Sequence, residues 1–255
     1  RGSVAGEVDV TRWPAIAIRQ LVIRGGGRRG TLTANGRIEG GWPSDLRVVA
    51  RALDAGAIAA LLDLRTAVSG RVDFEGRFAG TSSHPRATLS LTLEQGQVER
   101  QPVDALSVLA QFHDGDVVLK QFRAVRKGTF LLTGSGRIPL DPDRAQDLSV
   151  TLANGNLALL AGLWPEMIAR AEGRLEGRVR LAGSRRQPRL DGWVRVREGE
   201  CRMTDIFPKV SDLTLDLALR EETITVSTAS AGIGGGRLSA DGEVVLRTLA
   251  RPEFD

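Results

Sequence analysis

The chain repeats itself at long range, and this constrains its fold more than any other feature. Residues 69–80 (SGRVDFEGRFAG) correspond to residues 172–183 (EGRLEGRVRLAG) at an offset of 103 residues, from Gly80 to Gly183. Small and rigid residues recur at the same offset: Gly70, Pro85 and Gly96 correspond to Gly173, Pro188 and Gly199. Tandem units of this kind predict supersecondary units that stack on their neighbours and share a continuous core.

Each unit ends in a glycine-rich segment. Residues 30–38 (GTLTANGRI) resemble residues 236–244 (GRLSADGEV), and residues 128–138 hold a longer version. We therefore predict one continuous elongated domain in three parts: the end of one β-repeat unit with a short helical connector (1–68), a second unit with its connector (69–171) and a third unit (172–255). Because the chain starts without Met and in strand-like sequence, we expect it to be an excised piece of a longer protein.

Apolar and polar residues alternate with a period of two inside the units. Residues 88–93 (TLSLTL) and 213–219 (LTLDLAL) are clear examples. Successive side chains of a strand point to opposite faces, so each strand has one apolar face and one polar or charged face. Turn sequences such as residues 113–116 (HDGD) separate the strands. The pattern predicts an antiparallel meander with one solvated face.

Two segments depart from the alternation. Residues 53–64 and 152–163 align with each other and are rich in Ala and Leu. We predict short helices over residues 57–64 and 157–163. Helices of this size are too small to cover the apolar faces of roughly a dozen strands of ordinary length.

Two arrangements would shield that apolar face. The sheet packs on a second sheet as a sandwich, or it curls around its long axis and leaves an apolar trough. Repetition favours the trough, because units joined end to end extend a structure and do not close it. Glycines inside predicted strands either suit bending or simply relieve packing: Gly76, Gly177, Gly192 and Gly242. The predicted fold class is all-β, an elongated, curled, repeat-built antiparallel sheet with an apolar inner face and short connecting helices.

Composition argues against several classes of function. The net charge of +4 arises from 35 basic and 31 acidic residues that alternate along the chain, whereas nucleic-acid binders concentrate basic charge on one face. Aromatic residues make up 4% and Tyr is absent, so there is no stacking platform for bases. The single cysteine, Cys201, has no partner for an internal disulfide. The sequence has no apolar run of the roughly 18 residues that a membrane-spanning helix needs.

No motif of the sequence predicts catalysis. Residues 25–30 (GGGRRG) match the dinucleotide pattern G-x-G-x-x-G, but strand-like sequence follows where a helix is required. His84 and His113 stand alone, without the spacing of metal ligands. No nucleophile motif such as G-x-S-x-G is present. We therefore expect a protein that is not an enzyme and that uses no metal or cofactor.

The strand-and-glycine segments are similar to one known family. Residues 175–183, 188–199, 210–219 and 234–242 resemble the TamB family of translocation and assembly module subunits, within the wider AsmA-like group. The resemblance covers nearly the whole chain, most clearly residues 69–141 and 152–247. Its motifs are architectural and include no catalytic residues.

The resemblance implies a location, partners and a role. Members of the group are anchored in the inner membrane of Gram-negative-type bacteria by an N-terminal segment. They span the periplasm as a folded sheet with an apolar lumen, the β-taco, and are implicated in moving phospholipid to the outer membrane. TamB-family proteins also partner a BamA-type outer-membrane barrel (TamA-like) and assist the assembly of outer-membrane proteins.

The residues and the resemblance together lead to three functional hypotheses. The first is a lipid conduit whose apolar face binds phospholipid acyl chains. The second is a module that pairs its strand edge with nascent outer-membrane barrel proteins or autotransporters. The third is a passive periplasmic spacer. For the conduit, we predict these lining residues: Val72, Phe74, Phe78, Leu89, Leu91, Val108, Leu175, Val179, Leu181, Leu215, Leu217 and Ile224.

Overall fold

The structure is a computed structural model, and it describes residues 3–12, 15–24, 30–39, 42–61, 67–98, 101–163, 166–204, 209–245 and 253–254. Nearly all of them lie in strands. The first strands are β1 (Ser3–Arg12), β2 (Ala15–Arg24), β3 (Thr31–Glu39), β4 (Trp42–Asp54), β5 (Val68–Gly80), β6 (Pro85–Val98), β7 (Gln101–His113) and β8 (Asp116–Arg126). The others are β9 (Phe130–Pro139), β10 (Gln146–Asn156), β11 (Ile168–Gly183), β12 (Pro188–Met203), β13 (Val210–Glu221), β14 (Thr223–Ile233), β15 (Gly236–Val245) and β16 (Glu253–Phe254).

These strands form one sheet of 16 strands whose order is the order of the sequence. Two short helices interrupt the meander: α1 (Ala55–Leu61) follows β4, and α2 (Ala158–Leu163) follows β10. β1 and β16 end the strand order, so the sheet of the described residues is not closed. The predicted all-β fold, an antiparallel sheet with short connecting helices, is confirmed.

The chain forms two compact units. Unit 1 comprises Arg1–Ala124 with Arg137–Leu140, and unit 2 comprises Val125–Gly136 with Asp141–Asp255. Unit 1 contains the succession β4, α1, β5, β6, β7, and unit 2 contains the matching succession β10, α2, β11, β12, β13. The sequence repeat is thus also a repeat of secondary structure.

Both helices begin at a capping side chain. Asp54 Oδ1 accepts a hydrogen bond from the backbone N–H of Ala57 at 3.0 Å. Asn156 Oδ1 accepts one from the backbone N–H of Ala158 at 2.8 Å. Such side chains satisfy amide groups that lack a partner within the helix, which explains why α1 begins two residues before its predicted start. The predicted residues 62–64 of the first helix lie outside the described residues, as do residues 25–29 of the glycine-rich motif.

Each helix packs on the apolar face of its own unit. In unit 1, Ala55 of α1 forms a buried cluster with Val72 and Leu93. In unit 2, the buried cluster consists of Leu157, Ala171, Leu175 and Val196, with Ala161 of α2 packed against it: we call this the α2 cluster. A short helix therefore closes a small part of the apolar face in each unit.

A glycine pair marks an equivalent β-bulge in each unit. An added Cβ at Gly70 would lie 2.6 Å from the Cα of Gly96, and one at Gly173 would lie 2.7 Å from the Cα of Gly199. Both Gly70 (φ +121°) and Gly173 (φ +129°) have backbone angles that side chains disfavour. The pairing register shifts at both places. The bulge needs glycine because two backbones approach closely there.

Substitution at this glycine pair tests that argument. We expect Gly173→Ala to lower the free energy of unfolding by about 2–4 kcal/mol, because backbone strain and a backbone clash add. Gly235→Ala is the matched control: Gly235 also has a positive φ (+88°), but nothing lies within 4 Å of an added Cβ. We expect the control to cost about 1 kcal/mol. Urea denaturation followed by circular dichroism measures both, and equal losses would contradict the close-approach argument.

Truncation of a side chain in the α2 cluster tests whether the cluster is packed as a buried core. Leu175 is 7% exposed, and we expect Leu175→Ala to cost about 2–4 kcal/mol of unfolding free energy through lost burial and a residual cavity. Leu238 of the same unit is 56% exposed, so Leu238→Ala is the control and should cost under about 0.5 kcal/mol. The same denaturation experiment decides, and a small loss for Leu175→Ala would mean that the cluster is open.

Candidate functional site

The apolar face of unit 2 is continuous across six strands, β10 to β15. Cross-strand partners of an antiparallel sheet share a face, so the register shows which side chains lie in one row. Three rows contain only apolar residues or glycine. They are Val150–Val179–Gly192–Leu219–Ile224–Val244, Leu152–Gly177–Val194–Leu217–Val226–Gly242 and Gly155–Leu175–Val196–Leu215–Ala229–Ala240.

Unit 1 has the same kind of face across β4 to β7. Four rows again contain only apolar residues or glycine. They are Leu46–Phe78–Ala87–Phe112, Val48–Gly76–Leu89–Ala110, Ala50–Phe74–Leu91–Val108 and Leu53–Val72–Leu93–Leu106. We call these surfaces the apolar face of unit 1 and the apolar face of unit 2.

Of the twelve residues predicted from sequence, eleven lie in these rows, six in unit 1 and five in unit 2. Leu181 lies in the next row of unit 2, Leu148–Leu181–Leu190–Glu221, which ends in a charged residue. Val72 (6% exposed) and Leu175 (7%) are buried in the clusters beside α1 and α2. The other ten are half-buried. A side chain inside a closed core would be buried, so these ten side chains are only partly covered by their neighbours.

The prediction omitted several residues of the same faces. Phe112, Val194, Val226 and Leu190 are half-buried and occupy positions equivalent to the predicted ones. Their signal was the same two-residue alternation, which includes every second residue of a strand and not only the clearest runs. The faces are therefore larger than the twelve residues.

Glycine on the apolar face of unit 1 is covered by aromatic rings. An added Cβ at Gly76 would lie 2.8 Å from Cζ of Phe74 and 2.9 Å from Cε2 of Phe78. The two rings lean over the glycine from the positions two residues before and after it, so they fill the space that a side chain would occupy. In unit 2 the residue aligned with Phe74 is Gly177, so this part of the face has no aromatic ring.

The opposite face of unit 2 is held by ion pairs. Arg180 makes a bidentate contact with Asp147, at 2.7 Å and 2.8 Å. Both carboxylate oxygens of Asp216 lie 2.8 Å from Nη2 of Arg197, and Arg195 approaches the same carboxylate at 3.3 Å. Exposed pairs of this kind stabilise a sheet only slightly. They keep charge on the solvated face and away from the apolar one.

A cavity lies beside α2, where β10 ends and β11 begins. Its volume is about 640 Å³. The lining side chains come from the turn after β8, the end of β10, α2 and the start of β11. They are Arg126, Thr129, Asn156, Ala158, Ala161, Ala169, Arg170, Ala171, Glu172 and Gly173. We call it the corner cavity. Arg170 is ion-paired with Glu172, and this hydrogen bond raises the pKa of the Arg170 guanidinium further above its ordinary value.

A second, smaller cavity of about 330 Å³ adjoins the first. It shares Arg170 and Glu172 with the corner cavity and is otherwise lined by Glu200, Cys201, Arg202 and Lys209. The ammonium of Lys209 lies 2.6 Å from Oε2 of Glu200. Sequence reasoning missed both cavities, because their residues come from separate strands that the helix and the bulge bring together.

The remaining chemically distinctive residues have ordinary surroundings. The ring of His84, just before β6, contacts neighbouring Ser83 at 3.2 Å, and the ring of His113, at the end of β7, contacts neighbouring Asp114 at 3.3 Å. Cys201 packs against the α2 cluster, and burial raises the pKa of its thiol, which disfavours the reactive thiolate. Among the described residues no group of three or more His, Cys, Asp or Glu could hold a metal ion. Within that part of the chain no helix is long and apolar enough to cross a membrane.

Comparison with known proteins identifies the family. No curated protein and no solved structure gives a significant match to the chain. A family model described as the TamB C-terminal domain matches residues 20–230, which include the apolar face of unit 1 and the part of the apolar face of unit 2 from β10 to β13. This match covers most of the chain and agrees with the resemblance of the strand-and-glycine segments. The chain therefore belongs to the TamB family of the translocation and assembly module, and is a periplasmic bacterial protein.

Proposed function

We propose that the apolar faces bind phospholipid acyl chains and guide them across the periplasm between the inner and outer membranes. The full-length protein would be anchored in the inner membrane and would work with a TamA-like, BamA-type barrel in the outer membrane. The role is non-enzymatic and needs no cofactor. Family membership does not specify the transported molecule or where it binds, and this proposal names both: phospholipid and the apolar faces.

The observation that supports it most is the composition of the cross-strand rows. In unit 2, three rows across six strands contain no polar side chain, and most of their side chains are half-buried. An acyl chain has no hydrogen-bonding group and gains about 0.8 kcal/mol for each CH₂ that leaves water. Because such burial is non-directional, a row of Leu and Val holds a chain without fixing its position along the row. This suits transit better than tight binding at one point.

The opposite face supports the same interpretation. Charges there are paired across strands, as Arg180 is with Asp147 and Arg47 with Glu75 at 2.8 Å. An isolated charge among acyl chains would cost several kcal/mol, so separating the faces keeps the path apolar.

Charged substitutions on the apolar faces test the proposal. We expect Leu91→Asp with Leu215→Asp to reduce co-purifying phospholipid about tenfold, because a carboxylate placed among acyl chains loses its hydration. Native mass spectrometry and lipid extraction of the purified protein measure the bound lipid. Leu91 and Leu215 also pack against the buried clusters of their units, so circular dichroism must show the wild-type sheet in the variant before its lipid content is compared.

Matched controls place the same charge on the opposite face. Thr88 is the cross-strand neighbour of Arg77, and Thr223 that of Arg220, so an added carboxylate there has a basic partner. Thr88→Asp with Thr223→Asp should retain bound phospholipid. Equal lipid content in both variants, or a folded wild-type protein without lipid, would sink the conduit proposal.

A second candidate function is strand-edge pairing with nascent outer-membrane barrel proteins or autotransporters. Strand β15 favours it: residues 236–243 are exposed, Leu238 is 56% exposed, and β16 pairs only with Val244 and Val245. Among the described residues, most of this strand has no partner on its outer side. Unpaired backbone groups at a sheet edge are a template for an added strand.

Proline scanning of β15 separates the two functions. Consecutive backbone amides of a strand point to opposite edges. Of the two variants Ser239→Pro and Ala240→Pro, one therefore removes an N–H that points away from β14, and the other removes an N–H that bonds to β14. If edge pairing is the function, the variant that stays folded should lose binding to a barrel-strand peptide while keeping its lipid. Binding is measured by fluorescence anisotropy of the labelled peptide. Unchanged peptide binding in that variant would reject edge pairing at β15.

A further inference from the structure

The corner cavity contains charged side chains that the first repeat lacks at the aligned positions. Both units build the same arrangement there, with a capped helix and a glycine-pair bulge. In unit 2 the strand entering the bulge has Arg170 and Glu172, and Glu200 lies across from Glu172. The residues of unit 1 at the same offset of 103 are uncharged: Ala67, Ser69 and Gln97. The fold therefore forms without these charges, and their presence in unit 2 calls for a reason other than folding.

We propose that the corner cavity binds the phosphate group of an anionic amphiphile, with the guanidinium groups of Arg126 and Arg170 as its ligands. The phosphate part of this inference stands on the cavity itself. The placement of the acyl chains rests on the proposed function, because it assumes that they lie on the apolar face of unit 2.

The charge of the site suits an anion. The two adjoining cavities are lined by four basic residues, Arg126, Arg170, Arg202 and Lys209, and by two acidic ones, Glu172 and Glu200. The ion pairs Arg170–Glu172 and Lys209–Glu200 account for both carboxylates. The surplus of two positive charges therefore belongs to Arg126 of the corner cavity and Arg202 of the adjoining one. Glu172 engages Nε and Nη2 of Arg170, and Nη1 of that guanidinium would bind the phosphate beside Arg126.

The size and polarity of the site suit a headgroup. A volume of about 640 Å³ lies within the range of cavities that hold small ligands. Thr129 and Asn156 supply polar groups beside the two arginines. Four alanines, Glu172 and Gly173 complete the lining, so the cavity combines charged, polar and apolar side chains.

Two alanines of the cavity connect it to the apolar face of unit 2. Ala161 and Ala171 line the corner cavity and also belong to the α2 cluster, in which they pack with Leu175 and Val196. Leu175 and Val196 are members of one of the apolar rows of unit 2. A phosphate held by the arginines would thus have its acyl chains beginning next to that row, as an amphiphile requires.

Binding of two amphiphiles with the same acyl chains tests the inference. Dihexanoyl phosphatidylglycerol carries a phosphate and dihexanoylglycerol does not, and both are titrated below their aggregation limits by isothermal calorimetry. In 50 mM salt we expect dihexanoyl phosphatidylglycerol to bind about tenfold more tightly than dihexanoylglycerol. In 500 mM salt this difference in affinity should become smaller. Arg126→Gln with Arg170→Gln should abolish the difference and leave the affinity for dihexanoylglycerol unchanged.

The matched control removes the same charge elsewhere in unit 2. Arg178 and Arg189 are exposed and line neither cavity, so Arg178→Gln with Arg189→Gln should keep the tenfold preference. Equal loss in the control would mean that net charge, and not the corner cavity, selects the lipid, and would overturn the inference. Equal binding of both amphiphiles to the wild type would overturn it too and leave the proposed function standing.

A soluble headgroup separates this inference from the proposed function. Glycerol 3-phosphate has no acyl chain, and its binding is followed by the amide NMR shifts of Ala169 and Ala171. Weak binding that needs Arg126 and Arg170 supports the phosphate site even if no acyl chain binds the apolar face. Binding as tight as that of phosphatidylglycerol would overturn the amphiphile assignment in favour of a free phosphate ester. If neither glycerol 3-phosphate nor either lipid binds, both proposals fail.

Discussion

The register of the backbone ladder is the constraint on which the rest of the structure depends. In an antiparallel sheet the register decides which side chains share a face, and a slip of one residue exchanges the two faces of a strand. Here each ladder matches apolar residues with apolar residues, as in Leu175–Val196–Leu215. The ion pairs of the solvated face agree with the same register, since Arg180 meets Asp147 only when Val179 meets Val150. Apolar matching and charge pairing thus specify one alignment of the strands.

At one end of each apolar face, a short helix and a β-bulge take the place of regular strand structure. Each unit ends its apolar rows with a short helix capped by Asp54 or Asn156, and the neighbouring bulge brings two glycine backbones together. Val196 and Cys201 are five residues apart, so in a regular strand they would face opposite sides. The bulge between them adds one residue, and both pack in the α2 cluster. In unit 2 the same corner carries the basic cavity. In unit 2 a local irregularity of the sheet therefore positions charged side chains beside the apolar face.

Much of this architecture could be predicted from the sequence, because period-two alternation and repeats are local signals. The face occupied by Leu91 or Leu217 follows from counting along one strand. The bulges could not be predicted in this way, because an extra residue there shifts the two-residue alternation by one. After Leu93, for example, the next residue on the same face is Gly96, three residues later. Glycines in strands were interpreted either as bending points or as sites that relieve packing, and Gly76, which lies beneath two aromatic rings, fits the second. The corner cavity also escaped prediction, since only packing brings Arg126 to β11. The boundaries at residues 68 and 171 and the lipid-lining role stay predictions.

The bulges have a consequence for how this chain tolerates insertions and deletions in evolution. An extra residue at a bulge, such as Ala52 or Asn154 with its positive φ, is accommodated locally, and the residues on either side keep their faces. One residue gained or lost elsewhere in a strand would turn every later side chain of that strand toward the wrong face. Lineages should therefore change length at bulges, at turns or by whole repeats. A sheet that grows by whole repeats changes its span and keeps the character of both faces.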